Sequence, residues 1–112
     1  MSIRKVEKPW GTEIIWAETP NYAAKRIIIK QGHRMSKQYH VEKEKTIYVL
    51  NGILFVEDKD DTITEVHQGD RFHVEPGQVH RFGARFSPVD MFEVSTNHLD
   101  DVVRLEDDYE RE

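Results

Sequence analysis

The sequence contains no cysteine, which excludes a disulfide framework, a thiolate nucleophile and any cysteine-ligated zinc site. No apolar run approaches the roughly 20 residues that cross a bilayer as a helix. No window sustains apolar residues at the 3.6-residue period of an amphipathic helix. Positive charge is in the minority, with 16 Lys and Arg against 21 Asp and Glu, a net charge of −5. Such a surface repels phosphate backbones and anionic lipid, so nucleic acid and membrane are not expected as partners. The first eight residues are charged and no apolar segment follows them, so no signal peptide is expected and a cytoplasmic location is. A chain of 112 residues has room for one domain, spanning 1–112. A cytoplasmic enzyme or a small-molecule-binding domain fits these exclusions.

What the sequence has is short apolar runs separated by turn residues. Pro9-Trp10-Gly11 precedes a run at 12–17. Residues 22–30 are rich in β-branched side chains and stop at Gly32, and 35–41 form a shorter run. Residues 45–50 alternate and meet Asn51-Gly52, with 53–57 following at once. Asn-Gly between two strands predicts a hairpin, because both residues tolerate the positive φ of a type I′ turn. Further strands are expected at 62–66, 71–74, 79–82 and 89–95, split by turns at Lys59-Asp60-Asp61, Gln68-Gly69-Asp70 and Pro76-Gly77. The tail from Asn97 is acidic, with one amphipathic stretch at Val102, Val103 and Leu105. About nine or ten strands without intervening helices predict an all-β antiparallel sandwich or barrel.

Two of the six histidines stand out by their neighbours. Gln38, His40 and Glu42 are spaced by two, so on an extended strand they share a face. His80 lies on a separate predicted strand, just after Pro76-Gly77. Two imidazoles and a carboxylate can hold a divalent first-row metal and leave positions open for a ligand. The competing reading makes Glu42, Lys43, Glu44 and Lys45 a solvated turn of alternating charge.

The spacing of these residues resembles a known family. Residues 32–52 resemble the first motif of the cupins: a Gly, a His-bearing strand, a charged turn and a strand ending in Gly. Residues 69–80 resemble the second, with Gly69-Asp70, Glu75-Pro76-Gly77 and His80. The resemblance narrows at Lys8-Pro9-Trp10-Gly11, Gly32-His33-Arg34-Met35-Ser36, Gln38-Tyr39-His40, Tyr48-Val49-Leu50-Asn51-Gly52, His80-Arg81 and the tail from Leu99 to Tyr109. Those segments are similar to the mannose-6-phosphate isomerase-like cupins. These are short relatives of the C-terminal domain of bifunctional mannose-1-phosphate guanylyltransferase/mannose-6-phosphate isomerase. The resemblance implies a single-domain jelly-roll barrel (a double-stranded β-helix) with a short acidic C-terminal tail.

It also implies a divalent metal, Zn, Mn, Fe or Ni, at the mouth of the barrel. His40 and His80 fall on the family's ligand histidines, and Gln38 on a pocket Gln. Two positions depart from the pattern. The position of Glu42 is a His in the bifunctional enzymes, and the usual ligand Glu, seven residues before the motif Gly, corresponds to Lys45. Three outcomes follow. Glu42 completes the set with His40 and His80; or Glu44 moves in and Lys45 turns outward; or the Lys45 ammonium replaces the metal.

Given a metal, aldose–ketose isomerisation is the implied chemistry, because a divalent ion stabilises the enediolate formed when a proton moves between adjacent carbons. Glu42, Glu44 and His73 are the candidate bases. Lys43, Arg71 and Arg104 are the first candidates for the sugar phosphate, with Lys25, Arg26 and Arg34 behind them. Three functions compete: a metal-dependent sugar-phosphate isomerase interconverting mannose 6-phosphate and fructose 6-phosphate; a non-catalytic sugar-binding cupin with a degenerate metal site; and a cupin oxygenase or lyase. A homodimer is expected, since the apolar N-terminal residues 3–16 have nothing obvious to cover them.

Overall fold

The computed structural model describes residues 3–111. Eleven strands follow one another: β1 (Arg4–Lys8), β2 (Gly11–Glu18), β3 (Ala23–Ile29), β4 (Lys37–Tyr39), β5 (Lys45–Asn51), β6 (Leu54–Glu57), β7 (Ile63–Val66), β8 (Arg71–Val74), β9 (Arg81–Ala84), β10 (Val89–Ser95) and β11 (Val103–Glu106). No helix occurs among the described residues. One sheet has the order β1-β2-β3-β10-β5-β8, and every pair in it is antiparallel. Facing it are the pair β11-β4 and the triplet β7-β6-β9. Bridges Gln38–His80 and Arg34–Gly83 join those two pieces into one opposing layer. The all-β barrel expected from the strand spacing is what forms.

Period-two alternation explains the interior. On β3, Ala23, Lys25, Ile27 and Ile29 point inward; on β5, Lys45, Ile47 and Val49; on β10, Val89, Met91, Glu93 and Ser95. These three strands are neighbours. Glu93 stands opposite Lys25 on β3, and Ser95 opposite Lys45 on β5. One end of the barrel is therefore filled by Ile27, Ile29, Ile47, Val49, Val89 and Met91, all buried. The other end is lined by ions carried on the same strands.

One expectation about chain course needs correction. The Asn51-Gly52 hairpin does not form. β5 pairs with β10 and β8, whereas β6 pairs with β7 and β9. A type I′ turn needs positive φ at both central residues, and here Gly52 has it (φ 88°) while Asn51 does not. Asn51 stays in the ladder opposite Asp90, and Gly52 turns the chain from one sheet to the other. A hairpin forms instead between β6 and β7, where Asp58 Oδ1 accepts hydrogen bonds from the amides of Asp60 and Thr62. The amphipathic stretch of the acidic tail is itself a strand. Residues 103–106 form β11, which lies against β4 with Arg104 opposite Gln38.

Gly52 and Gly69 share φ 88° but differ in their surroundings. A Cβ on Gly52 meets the Pro88 carbonyl oxygen at 2.4 Å, while one on Gly69 meets nothing within 4 Å. Gly69→Ala is expected to cost roughly 1 kcal/mol from φ strain alone. Gly52→Ala is expected to cost at least about 2 kcal/mol more, because the sheet corner itself must move. Urea unfolding of both variants checks the difference, and equal losses would contradict it.

Candidate functional site

The short strand β4 and the segment after it carry Gln38 and His40 toward the interior. Gln38 is fixed by main-chain hydrogen bonds in both directions with His80. The two imidazoles therefore meet across this bridge, with ring centroids 5.2 Å apart. Both rings are buried. His40 Nδ1 lies 2.5 Å from the Asp101 carbonyl oxygen, and His80 Nδ1 2.9 Å from that of Gln78. A carbonyl can only accept, so each Nδ1 carries the proton and each Nε2 keeps its lone pair. Both Nε2 atoms are buried without a protein partner.

Beside them is a cavity of about 80 Å³, lined among others by Gln38, His40, Lys43, Lys45, Glu93 and Arg104. Its charge comes from Glu93, 1 % exposed and surrounded by lysines. Lys45 Nζ lies 3.2 Å from Glu93 Oε1; Lys43 Nζ lies 3.1 Å and Lys25 Nζ 3.8 Å from Oε2. Lys25 also reaches Glu13 at 3.0 Å. Three buried cations thus face two buried carboxylates. Burial alone would raise the Glu93 carboxyl, but Lys45, Lys43 and Lys25 overturn it and hold the group well below the usual range. Burial pushes Lys45 down to about 8 against the opposing pull of Glu93. Burial is also the main cause for the imidazoles, and the Lys45 ammonium is next, bringing His40 to about 4 and His80 to about 3.

The other expected site residues are elsewhere. Glu42 does not face the cavity: its side chain is 71 % exposed and pairs with His98 at 3.4 Å. The cause is non-local. β4 ends at Tyr39, and the Asp101 carboxylate accepts the amides of Val41, Glu42 and Lys43, turning the chain so that Glu42 faces solvent. Glu44 is also exposed, 2.9 Å from His73 Nε2. His73 and Arg71 do share a face of β8, and it is the outer one, where His73 meets Thr46 Oγ1 at 2.8 Å. Glu44, His73 and Glu75 bring ligand atoms within 4.8 Å of one another on that exposed surface, a possible acidic–histidine metal group away from the barrel interior. Lys43 is inside, committed to Glu93, and Arg104 lines the cavity from β11. Of the remaining cation candidates, Lys25 is inside, Arg26 pairs with Asp90 and Arg34 with Asp108. Glu93 and Asp101 escaped the sequence reading. Glu93 was legible by alternation with Val89 and Met91; Asp101 gave no local signal.

The barrel residues do not fit a resident divalent ion. Two orphaned imidazole nitrogens are suitable donors, but a catalytic site of this kind takes three protein ligands. Gln38 Oε1 accepts from Ser36 Oγ at 2.8 Å, keeps one lone pair, and brings no negative charge to offset an ion's. The carboxylates on the cavity wall already face other groups: Glu93 is surrounded by lysines, Glu13 Oε1 meets Lys25, and Asp101 accepts three amides. The lysines on this wall outnumber its paired carboxylates, and a net positive wall repels a divalent ion.

The neutral imidazoles link folding to pH. In the unfolded chain they protonate near 6.5, and in the folded chain only near 4 and 3. As pH falls the unfolded state takes up protons first, so stability present in full above 6.5 is lost between 6.5 and about 3. Glu93 adds its own loss only below the ordinary carboxylate value of 4.5. Urea unfolding between pH 7 and 4.5 is expected to show falling stability, and replacing His40 and His80 together by Gln is expected to flatten that interval.

Comparison with known proteins agrees with this fold and narrows the family. The chain is 29 % identical over 112 aligned residues to the xanthan biosynthesis protein XanB of Xanthomonas campestris pv. campestris (strain B100), an alignment covering 96 % of this chain and 24 % of that protein. This chain therefore spans about a quarter of that relative's length. A double-stranded β-helix protein from Klebsiella pneumoniae superposes with a TM-score of 0.78 at 18 % identity, over 90 % of this chain and 84 % of that one. A cupin sugar phosphate isomerase from Silicibacter pomeroyi superposes with a TM-score of 0.70 at 18 % identity, over 78 % of this chain and 59 % of that one. At such identities these two likenesses bear on the fold. Residues 1–107 match the mannose-6-phosphate isomerase C-terminal family, and with that match the chain is a member of this cupin family.

Proposed function

We propose that this chain interconverts the aldose and ketose forms of a small sugar phosphate in its barrel cavity, with His40 as the proton carrier. The observation that carries the reading is the buried, neutral His40 ring, its Nε2 lone pair unpartnered beside a wall of excess positive charge. Isomerisation needs a base for the C2 proton and positive charge for the oxygen that becomes negative. His40 supplies the first. Its Nδ1–H, held by the Asp101 carbonyl, keeps Nε2 as the acceptor. His80 stands behind it, with its own proton directed at Gln78. The cavity accommodates the reacting carbonyl and hydroxyl end. Lys8 and Arg104, which also line it, suit a phosphate, while Arg111 is paired with Asp107. The named activity of the Silicibacter pomeroyi cupin and the family match support the substrate class.

A non-catalytic sugar-binding role is the second reading, and the small volume of about 80 Å³ favours it. Proton chemistry separates the two. In heavy water, mannose 6-phosphate is expected to exchange deuterium at C2 and fructose 6-phosphate at C1, followed by NMR. His40→Ala is expected to slow exchange at least roughly a hundredfold. Glu42→Gln and His73→Gln, both outside the cavity, are expected to leave it unchanged. Binding without exchange would favour the second reading.

Pairing of two chains is proposed on the same terms as the sequence expectation. β1 is a sheet edge, and Ile3 and Trp16 are exposed. Sedimentation equilibrium at micromolar concentration is expected to give twice 13.2 kDa, and a clean monomer would refute it.

A further inference from the structure

We infer that the Lys45 ammonium occupies the role of a divalent metal in this barrel, so that the cavity binds the α-hydroxycarbonyl end of its ligand directly on Lys45 and His40 without an ion. The inference rests on the cavity being the ligand site, as proposed above, but not on turnover.

Four observations lead to it. First, Lys45 is held in place. Its side chain is 2 % exposed, its Nζ is 3.2 Å from Glu93 Oε1, and it lies 4.8 Å from the centroid of the Phe82 ring. Carboxylate and aromatic face both oppose its turning outward. Second, Glu93 is already ringed by cations: Lys43 and Lys25 lie 3.1 and 3.8 Å from Oε2, which keeps no aligned hydrogen bond, so an ion at that oxygen competes with both ammoniums. Third, Phe82 packs its ring 5.1 Å from His80, and His80 lies 5.2 Å from His40, so ammonium and imidazoles form one contiguous cluster. Fourth, Lys25 holds Glu13 Oε1, and the amides of residues 41–43 hold both Asp101 carboxylate oxygens.

The ligand class follows from complementarity. An ammonium offers three donors and Glu93 takes one, which leaves capacity for a carbonyl or carboxylate oxygen. The unprotonated His40 Nε2 accepts from a hydroxyl in the resting complex, and its one lone pair must leave that hydroxyl for the adjacent C–H if turnover follows. An acceptor and a donor on adjacent carbons satisfy both groups, and that is the α-hydroxycarbonyl unit of an open-chain sugar phosphate or an α-hydroxy acid.

The test begins with the wild-type chain purified without chelator. Metal content by plasma mass spectrometry is expected to be substoichiometric, and calorimetric titration with Zn²⁺ or Mn²⁺ is expected to show no uptake at the barrel. Because Glu44, His73 and Glu75 could take an ion at the surface, the titration is repeated in His73→Ala. Fructose 6-phosphate binding is expected to be unaffected by EDTA, and Lys45→Met is expected to weaken it roughly ten- to hundredfold. Lys45→Glu is expected to gain one equivalent of Zn²⁺ that His40→Ala in the same background abolishes. A stoichiometric metal in the wild type, lost in His40→Ala and required for ligand binding, would overturn the inference. Unaltered binding in Lys45→Met would overturn it too. Failure of fructose 6-phosphate to bind under any condition would instead sink the sugar-phosphate reading, with the metal titrations still deciding the role of Lys45.

Discussion

Taking a carboxylate out of water costs several kcal/mol unless other charges and donors replace its hydration, and at Glu93 three lysines do so. Much of the interior follows from that cluster. Lys25 and Lys45 arrive from the two strands that flank β10, so pairing in the large sheet and charge neutralisation in the barrel require the same register. A slip of one residue on β10 would turn Glu93 to solvent and leave the lysines unmatched, together with moving Val89 and Met91 out of the core. The ionic end of the barrel thus specifies strand register as firmly as the apolar end does.

The C-terminal segment depends on the same end. Asp101 gives its carboxylate to the amides of residues 41–43 and its carbonyl to His40. One residue therefore ends the β4 segment, turns Glu42 out, directs Lys43 in and sets the His40 tautomer. β11 then lies along β4 and places Arg104 on the cavity wall. Tail, turn and imidazole form one hydrogen-bonded unit.

Much of this could be read from the sequence wherever a single strand decides the outcome. The alternating runs gave β3, β5, β8 and β10 nearly to the residue, and spacing by two brought Gln38 and His40 to one face. The same rule applied to residues 89–95 would have put Glu93 inside. What local pattern does not carry is the choice between sheets and the end of a short strand. Asn51-Gly52 has hairpin chemistry, yet the Pro88 and Val89 main chain packed against Gly52 belongs to a sheet corner. Glu42 has ligand spacing, yet Asp101, some sixty residues later, bends the chain before that spacing applies. Lys45 was visible as an anomaly at a ligand position, and its partner on β10 gives it a place.

Between two packed sheets the balance of fixed charge decides what the cavity can hold. Three lysines against two carboxylates leave one positive charge in surroundings that screen it poorly. That surplus opposes a second cation and favours an oxygen carrying negative charge. It is also a cost carried by the empty protein, offset by the apolar packing at the other end of the same strands. A ligand oxygen that relieves it stabilises the folded chain by the same interaction that binds the ligand, so affinity and fold stability draw on one electrostatic term.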